Sequence, residues 1–474
     1  MDTDVLEYTH STKTRVAALW AKCTTQPKTA YVLRAFTNTS HNLIAASTSA
    51  GAVKLHSLGP SSVAFLRDIQ GHGAAVTDLQ WTHPDQPELL HTCSADSTVR
   101  GWDTRSCQQT ACYMAAGHQL NCLGAREYEV AAGGQGEVIF WDRRTGAELG
   151  RLDDTHMEDV TQVRFHTEGS SFVLSSSLDG LVAVHDTRQP LGSDDAFVCA
   201  CNIGTSVEEL GLYGPASERV WLRTGTETLQ LWEWGRAASP DHAGGEAPFA
   251  DLSDAREQAA QAAIASGGRA AGIFAPEGVS YLLGAHYEPG SDQLLLMAGH
   301  DGDVAFWPLL QSAGETGGAG DAQGPVRLGP PSQLLTGGHT AIVRGAQCWE
   351  QGSGGVAAFC VTAGEDARIC CWSLDPAACQ AEAQVGKTGG AGVPRQGSRA
   401  KAGLVHAKGR GPRAREQRYS EGGAGLAGGQ EAMQEKEQGE AVCKQARRTM
   451  KQHGHAHMVH ERGSQKKRKG MMEG

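Results

Sequence analysis

A fixed interval of six residues recurs along this chain, from a small or polar residue in a tight turn to a ring-bearing residue. The interval separates the members of seven pairs: Asp96 and Trp102, Gln135 and Trp141, Thr226 and Trp232, Asp301 and Trp307, Asp366 and Trp372, Asp179 and His185, and Ala50 and His56. Alternate residues of a strand face the same way, so turn and ring lie on one side of a sheet. A unit repeated every 20–50 residues or so indicates an array in which no copy buries its core alone.

Two copies of the unit are especially complete. GHGAAVTDLQW begins at Gly71 and closes with TVRGWD at Asp103, and GGHTAIVRGAQCW begins at Gly337 and closes with ARICCW at Trp372. These segments resemble WD40 repeats, which have four strands per propeller blade, a GH opening and a WD close. The resemblance implies an all-β fold: a seven-bladed WD40 β-propeller followed by a disordered, basic C-terminal tail.

The same resemblance implies a buried structural tetrad of His, Ser or Thr, Asp and Trp. It places two tetrads on the following residues: His72, Thr92, Asp96 and Trp102, and His339, Thr362, Asp366 and Trp372. A third blade with His156, Ser175 and Asp179 has His185 where the tryptophan belongs, so its tetrad is altered.

A Ser/His/Asp set could also indicate a hydrolase. The set recurs in several blades, however, whereas a nucleophile needs one unique site. A histidine between a carboxylate and a hydroxyl satisfies its polar partners, which favours the structural interpretation. The sequence has no phosphate loop, zinc quartet or unique nucleophile–base pair, and we expect no enzyme, no cofactor, no metal and no small-molecule substrate.

The repeats and the composition together predict the domain boundaries. We expect a flexible N-terminus at 1–13, a propeller at 14–374 with inserts at about 235–278 and 311–333, and a low-complexity tail at 375–474. The strand-like segment that begins at Thr14 is the candidate to close the ring by completing the last blade. In the first insert, Ser253 is a candidate cap of a short helix, and the second is Gly/Pro-rich, which is typical of a flexible loop.

The N-terminus is acidic and has no apolar run, so we expect no secretory signal, and no stretch approaches the ~18 apolar residues of a membrane span. The 13 Cys lack metal-ligand spacing, which favours a reducing compartment.

The net charge differs between the two regions of the chain. The segment from residue 375 carries 19 Lys+Arg against 10 Asp+Glu, and the rest carries 23 against 43. An acidic body with a basic arm suggests separate partners for each.

Three blade ends have an Asp followed two residues later by an Arg. The pairs are Asp103 and Arg105, Asp142 and Arg144, and Asp186 and Arg188. They resemble the WDxR signature of propellers that act as substrate receptors of cullin-RING ubiquitin ligases, in which the Arg faces an adaptor protein. A planar guanidinium fork suits such an interface. The alternative is local pairing of Asp with Arg on one strand face.

The last basic run has the character of a nuclear or nucleolar address. It comprises Lys466, Lys467, Arg468 and Lys469. Earlier basic residues of the tail lack aromatic neighbours, so any RNA contact there would be weak and electrostatic. A histidine-rich stretch at 453–460 is interpreted as solvated low complexity rather than as a metal site.

The sequence therefore predicts a non-catalytic scaffold that binds other proteins, located in the nucleus, with nucleolus and cytoplasm left open. Two alternatives remain. One is a substrate receptor of a cullin-RING ligase that uses its WDxR motifs. The other is a nucleolar factor for ribosome assembly that uses its tail.

Overall fold

A computed structural model describes residues 14–25, 31–38, 42–59, 62–83, 86–166, 170–237, 247–275, 277–311, 325–350 and 357–374. Within these residues the strands form six four-stranded antiparallel sheets and one six-stranded sheet, and each sheet is one blade of a ring of seven. The seven-bladed propeller that the repeats predict is confirmed. The expected flexible N-terminus and basic tail, including Lys466–Lys469, lie outside the described residues.

Each blade runs from a first, inner strand to a fourth, outer strand. The strands of blades one to four are Val32–Asn38, Leu43–Thr48, Val53–Leu58 and Val63–Ile69; Val76–His83, Gln86–Ser94, Thr98–Asp103 and Gln108–Met114; Cys122–Ala125, Glu129–Gly133, Val138–Asp142 and Glu148–Leu152; and Val160–Phe165, Phe172–Ser177, Leu181–Asp186 and Phe197–Asn202. Those of blades five to seven are Val207–Tyr213, Arg219–Thr224, Leu229–Trp232 and Ala250–Leu252; Tyr281–Glu288, Gln293–His300, Asp303–Gln311 and Gln333–Leu335; and Val343–Glu350, Ala357–Gly364, Arg368–Ser373 and, from the N-terminus, Ala18–Thr24.

The N-terminal segment closes the ring, as its position in the sequence predicts. Ala18–Thr24 pairs antiparallel with Arg368–Ser373, so that Leu19 lies opposite Trp372. One feature of the closure is not evident from the sequence. The preceding Arg15–Val16 pairs in parallel with the outer strand of blade six. The N-terminal residues thus join the last two blades.

The hydrophobic core lies between neighbouring blades rather than within any one of them. One cluster joins Val99 and Tyr113 of blade two to Leu123 and Trp141 of blade three, and the other clusters repeat this arrangement around the ring. The third strand of blade three, VIFWD, is almost entirely buried because both of its faces meet another blade. Each blade therefore depends on its neighbours for burial.

The first insert contains a strand of blade five. Ala250–Leu252 is the outer strand of that blade and pairs with the third strand at Leu229–Leu231. The insert also contains helix α1 at Trp234–Ala237, α2 at Ala255–Ser266 and α3 at Gly268–Phe274. Asp254, not Ser253, occupies the N-cap position of α2.

Helices α2 and α3 cover the junction of blades five and six, because the alanines of α2 and Phe274 of α3 belong to the same cluster as Trp307.

The second insert also contributes to the sheet of blade six. Val326–Leu328 pairs with the third strand of blade six, with Leu328 opposite Leu309, and residues 312–324 lie outside the described part. A single turn of 3-10 helix at Asp194–Ala196 precedes the outer strand of blade four. No described helix has the length and apolar character needed to cross a membrane.

Candidate functional site

The four tetrad residues of blade two are joined by a continuous series of hydrogen bonds. Trp102 Nε1 donates to Thr92 Oγ1 at 2.8 Å, and Thr92 Oγ1 lies 2.7 Å from His72 Nε2. The other ring nitrogen, Nδ1, lies 3.0 Å from Asp96 Oδ2. Because the threonine oxygen accepts from the indole, its proton is free to go to Nε2, and Nδ1–H then donates to the carboxylate. This arrangement suits a neutral histidine.

Blade seven repeats the geometry within a few tenths of an ångström. Trp372 Nε1 donates to Thr362 Oγ1 at 2.8 Å, and His339 lies between that hydroxyl at 2.8 Å and Asp366 at 3.0 Å. The structure thus brings together all eight residues that the family resemblance places in the two tetrads.

The glycine before each tetrad histidine makes room for the tryptophan. A Cβ at Gly71 would lie 2.7 Å from the Trp102 ring, and one at Gly338 would lie 2.5 Å from the Trp372 ring. Real Cβ atoms do not approach other heavy atoms so closely. The GH opening of the repeat is therefore a packing requirement as well as a turn.

The electrostatics of the tetrads match a structural role. Burial lowers the pKa of His72 and so favours its neutral form. Burial also opposes ionisation of Asp96, but hydrogen bonds from Thr98, the Gly73 amide and His72 outweigh it and lower the pKa of Asp96 to about 2. For Asp366, bonds from His339 and the Thr340 amide have the same effect, with a pKa of about 2. Both carboxylates are thus held ionised, and in blade two the histidine beside the carboxylate is held neutral.

Blade four keeps half of the pattern. His156 lies 2.8 Å from Ser175 Oγ and 3.3 Å from Asp179 Oδ2. His185, in the tryptophan position, lies 3.2 Å from Thr155 Oγ1 instead. In this blade a hydrogen bond between Thr155 and His185 therefore replaces the bond that tryptophan donates to the threonine hydroxyl in blades two and seven.

None of the three sets presents a nucleophile to solvent. The hydroxyl-bearing residues Thr92, Thr362 and Ser175 are buried, and in blades two and seven the hydroxyl already accepts from tryptophan. Within the part of the chain that the structure describes, no group of three or more His, Cys, Asp or Glu is placed to hold a metal ion.

The Asp-x-Arg motifs form a second, exposed set, and their geometry differs from the expected pairing on one strand face. Each Asp ends the third strand of its blade, and its Oδ1 accepts the backbone N–H of the Arg two residues later, which lies in the following turn. These bonds measure 2.8 Å at Arg105, 2.7 Å at Arg144 and 3.0 Å at Arg188. The side chain of Asp closes the turn by bonding to the backbone, as aspartate commonly does.

The arginine side chains of the three turns are mostly exposed, at 71% for Arg105, 67% for Arg144 and 70% for Arg188. Arg188 is held most firmly, because its Nε lies 3.1 Å from each oxygen of Asp186 and its Nη2 lies 2.6 Å from Oδ2. Hydrogen bonds from the side chain of Arg188 lower the pKa of Asp186, as those of Arg144 do for Asp142. The pKa of Asp103 is lowered mainly by the Arg105 amide.

The three turns lie at the same end of adjacent blades. Contacts between blades at this end link them: Arg143 Nη2 donates to Gln86 of blade two at 3.0 Å, and Arg126 Nη2 donates to Thr187 of blade four at 2.8 Å. We call this surface of blades two to four, with Arg105, Arg144 and Arg188 exposed on it, the arginine face.

Three further residues belong to this face, and no motif in the sequence identifies them as part of it. Arg126 and Tyr128 follow the first strand of blade three, and Arg164 lies on the first strand of blade four, outside any repeat motif. Their proximity depends on the packing of one blade against the next, which spacing along the chain does not encode.

Comparisons with known proteins agree with the fold. The model of the WD domain, G-beta repeat family matches residues 63–103. The chain is 29% identical to WD repeat-containing protein GTS1 of Arabidopsis thaliana over 352 residues, which are 73% of this chain and 81% of the relative. It is 26% identical to WD repeat-containing protein 89 homolog of Dictyostelium discoideum over 343 residues, 71% and 81% of the two chains.

A third relative, WD repeat-containing protein 55 homolog of Drosophila mojavensis, is 25% identical over 278 residues, 56% of this chain and 53% of its own. The match to the Dictyostelium protein supports a finer resemblance to WD repeat-containing protein 89. THMEDVTQVRFH in blade four, GGHTAIVRGAQCW in blade seven and the terminal KKRK carry that resemblance.

Proposed function

Because the chain is a seven-bladed WD40-repeat β-propeller, we propose that it is a non-catalytic scaffold that binds protein partners through its arginine face. Propellers of this family generally bind other proteins. The polar groups most suggestive of catalysis, the tetrads, are buried and bonded to one another. The three arginines of the turns, by contrast, are exposed to solvent and partners.

The observation that carries this proposal is the preorganisation of those arginines. In each turn the Asp side chain fixes the backbone of the Arg, and in Asp142–Arg144 and Asp186–Arg188 it also binds the guanidinium. Arginine is enriched among the residues that dominate binding energy at protein interfaces. A guanidinium that is already oriented loses less conformational entropy when a partner binds.

A second candidate function is that of a substrate receptor in a cullin-RING ubiquitin ligase. The presence of Arg105 and Arg188 in equivalent turns of nearby blades favours this candidate, since an adaptor could contact both. In this version the arginine face binds the adaptor, and the opposite end of the propeller is left for the substrate.

The test is affinity purification of the tagged full-length chain followed by mass spectrometry. Wild type is compared with the double variant Arg105→Ala with Arg188→Ala, and with Arg344→Ala, an exposed arginine paired with Glu365 at the other end of its blade. We expect the double variant to lose partners that Arg344→Ala keeps, with little change in melting temperature.

Three results are decisive. Loss of a cullin adaptor in the double variant supports the ligase receptor. Recovery of other partners, but of no adaptor even with wild type, contradicts the ligase receptor and supports the plain scaffold. Recovery of the same partners by all three proteins contradicts use of the arginine face.

We also propose that the basic tail directs the protein to the nucleus and makes weak, salt-sensitive contacts with RNA. The run Lys466, Lys467, Arg468 and Lys469 supports this proposal by its composition alone. If the tail instead retains the protein in the nucleolus and its partners are released by ribonuclease, a role in ribosome assembly becomes the better description.

A further inference from the structure

A groove of 760 Å³ lies between blades three and four and opens on the arginine face. This blade three–four groove is lined by Ala125, Arg126, Tyr128, Arg164, Phe165 and Arg188, among others. Its volume is within the range of about 300–1,000 Å³ that is usual for ligand pockets. The following inference rests on the proposed scaffold function and concerns the chemistry of the partner.

The floor of the groove is rigid and partly apolar. The Arg126 guanidinium stacks 4.5 Å above the Phe165 ring. It is fixed there by Glu129 and by bonds of 2.8 Å to the Ser170 carbonyl and Thr187 Oγ1. The floor can therefore receive an apolar side chain without rearrangement.

Arg164 supplies positive charge at the inner end of the groove. Its Nη1 donates to the carbonyls of Val163 at 3.1 Å and Leu123 at 3.4 Å, and these are its only hydrogen bonds among the described residues. Carbonyl oxygens leave the charge of a guanidinium uncompensated, whereas a carboxylate would form a charge-assisted, two-point interaction with it.

The rim at the outer end carries arginine and tyrosine. Arg188 uses Nε and Nη2 for Asp186, which leaves Nη1 available to a ligand. Across the groove, Tyr128 is 50% exposed and has the Arg144 guanidinium 5.0 Å from its ring centre. Exposed tyrosine and arginine beside an apolar floor are the residue types that dominate binding energy at interfaces.

Among the described residues, the carboxylates of the lining are Glu127 and Glu129, and Arg126 already compensates Glu129. Asp186 likewise compensates Arg188. Arg164 is different, because its guanidinium contacts carbonyl oxygens and no carboxylate of the described residues. Arg164 therefore favours an anionic group over a neutral or cationic one in this groove.

We propose that the blade three–four groove binds an acidic linear peptide segment of a partner protein. One carboxylate of the segment lies at Arg164, a second lies at Arg188, and an apolar side chain between them packs beside Phe165.

The test uses full-length protein and two fluorescein-labelled octapeptides, one of alternating Leu and Glu and one of alternating Leu and Gln. Fluorescence anisotropy measures the Kd of each for wild type, Arg164→Gln, Arg188→Gln and the control Arg344→Gln. We expect wild type and Arg344→Gln to bind the acidic peptide at least about tenfold more tightly than the amide peptide, and each groove variant to weaken acidic-peptide binding by about tenfold, or roughly 1.4 kcal/mol.

The basic tail could also attract an acidic peptide, and the variants separate the two sites. Acidic-peptide binding that is equal in all four proteins would overturn the proposal and assign that binding to another site. Hydrogen exchange of the wild type supplies a measurement that does not depend on how well the variants fold. The acidic peptide should slow exchange at residues 124–129 and 187–188, and unchanged exchange there would overturn the proposal.

Failure of this proposal differs from failure of the scaffold function. If Arg164→Gln retains all protein partners in affinity purification and binds the acidic peptide like wild type, while the double variant at Arg105 and Arg188 loses partners, the scaffold stands and the groove is not its peptide site.

Discussion

Thr155 Oγ1 and His185 Nε2 of blade four lie 3.2 Å apart, in the space that tryptophan occupies in blades two and seven. Thr155 directly precedes the tetrad histidine, as Gly71 and Gly338 do in the other two blades. At those glycines even a Cβ would lie 2.7 Å or less from the tryptophan ring. A threonine at this position therefore excludes tryptophan, and the smaller histidine restores both packing and a hydrogen bond.

We predict that these two positions are energetically coupled. His185→Trp alone should destabilise the fold by roughly 1–3 kcal/mol, because it overpacks the site against Thr155. Thr155→Gly with His185→Trp should recover much of this loss, because the new indole can donate to Ser175. Urea unfolding of the wild type, both single variants and the double variant gives the coupling, expected at about 0.5–3 kcal/mol. Additive effects would show that the two departures from the repeat are independent.

Features that depend on local spacing could be predicted from the sequence, and features that depend on packing between distant segments could not. The interval from Asp96 to Trp102 lies within one hairpin, so the sequence displays it directly. Ala250–Leu252 is only three residues long and is separated from its blade by residues 233–249, which concealed it. The position of each turn arginine was missed because a side-chain bond from Asp to the backbone, rather than strand alternation, determines it.

The tetrad carboxylates should make stability depend on acid. The pKa of Asp96 in the fold is about 2, below its ordinary value of 3.8, so the ionised form stabilises the native state. That contribution is complete above about pH 4 and is lost as the pH falls toward 2. Asp96→Ala should cost roughly 1–3 kcal/mol at pH 7, since it leaves His72 without its acceptor.

The measurement is the free energy of unfolding between pH 7 and pH 2. Wild type should lose more stability below pH 4 than Asp96→Ala does, and Asp153→Ala, which removes an exposed loop carboxylate, controls for the change in charge. Parallel profiles for wild type and Asp96→Ala would mean that this carboxylate contributes nothing to acid sensitivity.

The closing strand should be essential to the ring, whereas the tail should not. A chain that begins at Thr29 lacks the fourth strand of blade seven and the residues paired with blade six. Roughly 0.5–1.5 kcal/mol is lost for each strand hydrogen bond removed, so this chain should melt well below wild type. A chain that ends at Pro376 should melt cooperatively and close to the full-length protein. Equal melting of the two truncated proteins in calorimetry would contradict the importance of closure.

The terminal basic run should control location. Changing Lys466, Lys467, Arg468 and Lys469 to alanine should reduce nuclear accumulation of a fluorescent fusion, because clustered positive charge is what nuclear-import signals present. A matched control removes four basic residues that are not contiguous, Lys401, Lys408, Arg410 and Arg413, and should leave the distribution as it is. An unaltered distribution of the first variant would remove the argument for nuclear import through this run.

The centre of the propeller contains an ion pair between blades that are not neighbours. Arg34 Nη1 of blade one lies 3.3 Å from Glu209 of blade five, and Arg223 Nε lies 3.6 Å from the same carboxylate. The side chains of these three residues are no more than 23% exposed. One carboxylate therefore compensates two largely buried guanidinium groups, and the consequences of removing each partner should differ.

We predict that Glu209→Leu is more destabilising than Arg34→Met. Loss of Glu209 leaves two buried cations unpaired, and breaking a buried pair in this way typically costs about 3–5 kcal/mol. Loss of Arg34 leaves Glu209 still paired with Arg223, so its cost should be smaller by at least about 1 kcal/mol on the same reasoning. Urea unfolding compares the two, with Arg344→Met of the exposed pair with Glu365 as a control expected to cost about 1 kcal/mol or less. Equal costs for Glu209→Leu and Arg34→Met would indicate that Arg223 does not share the carboxylate.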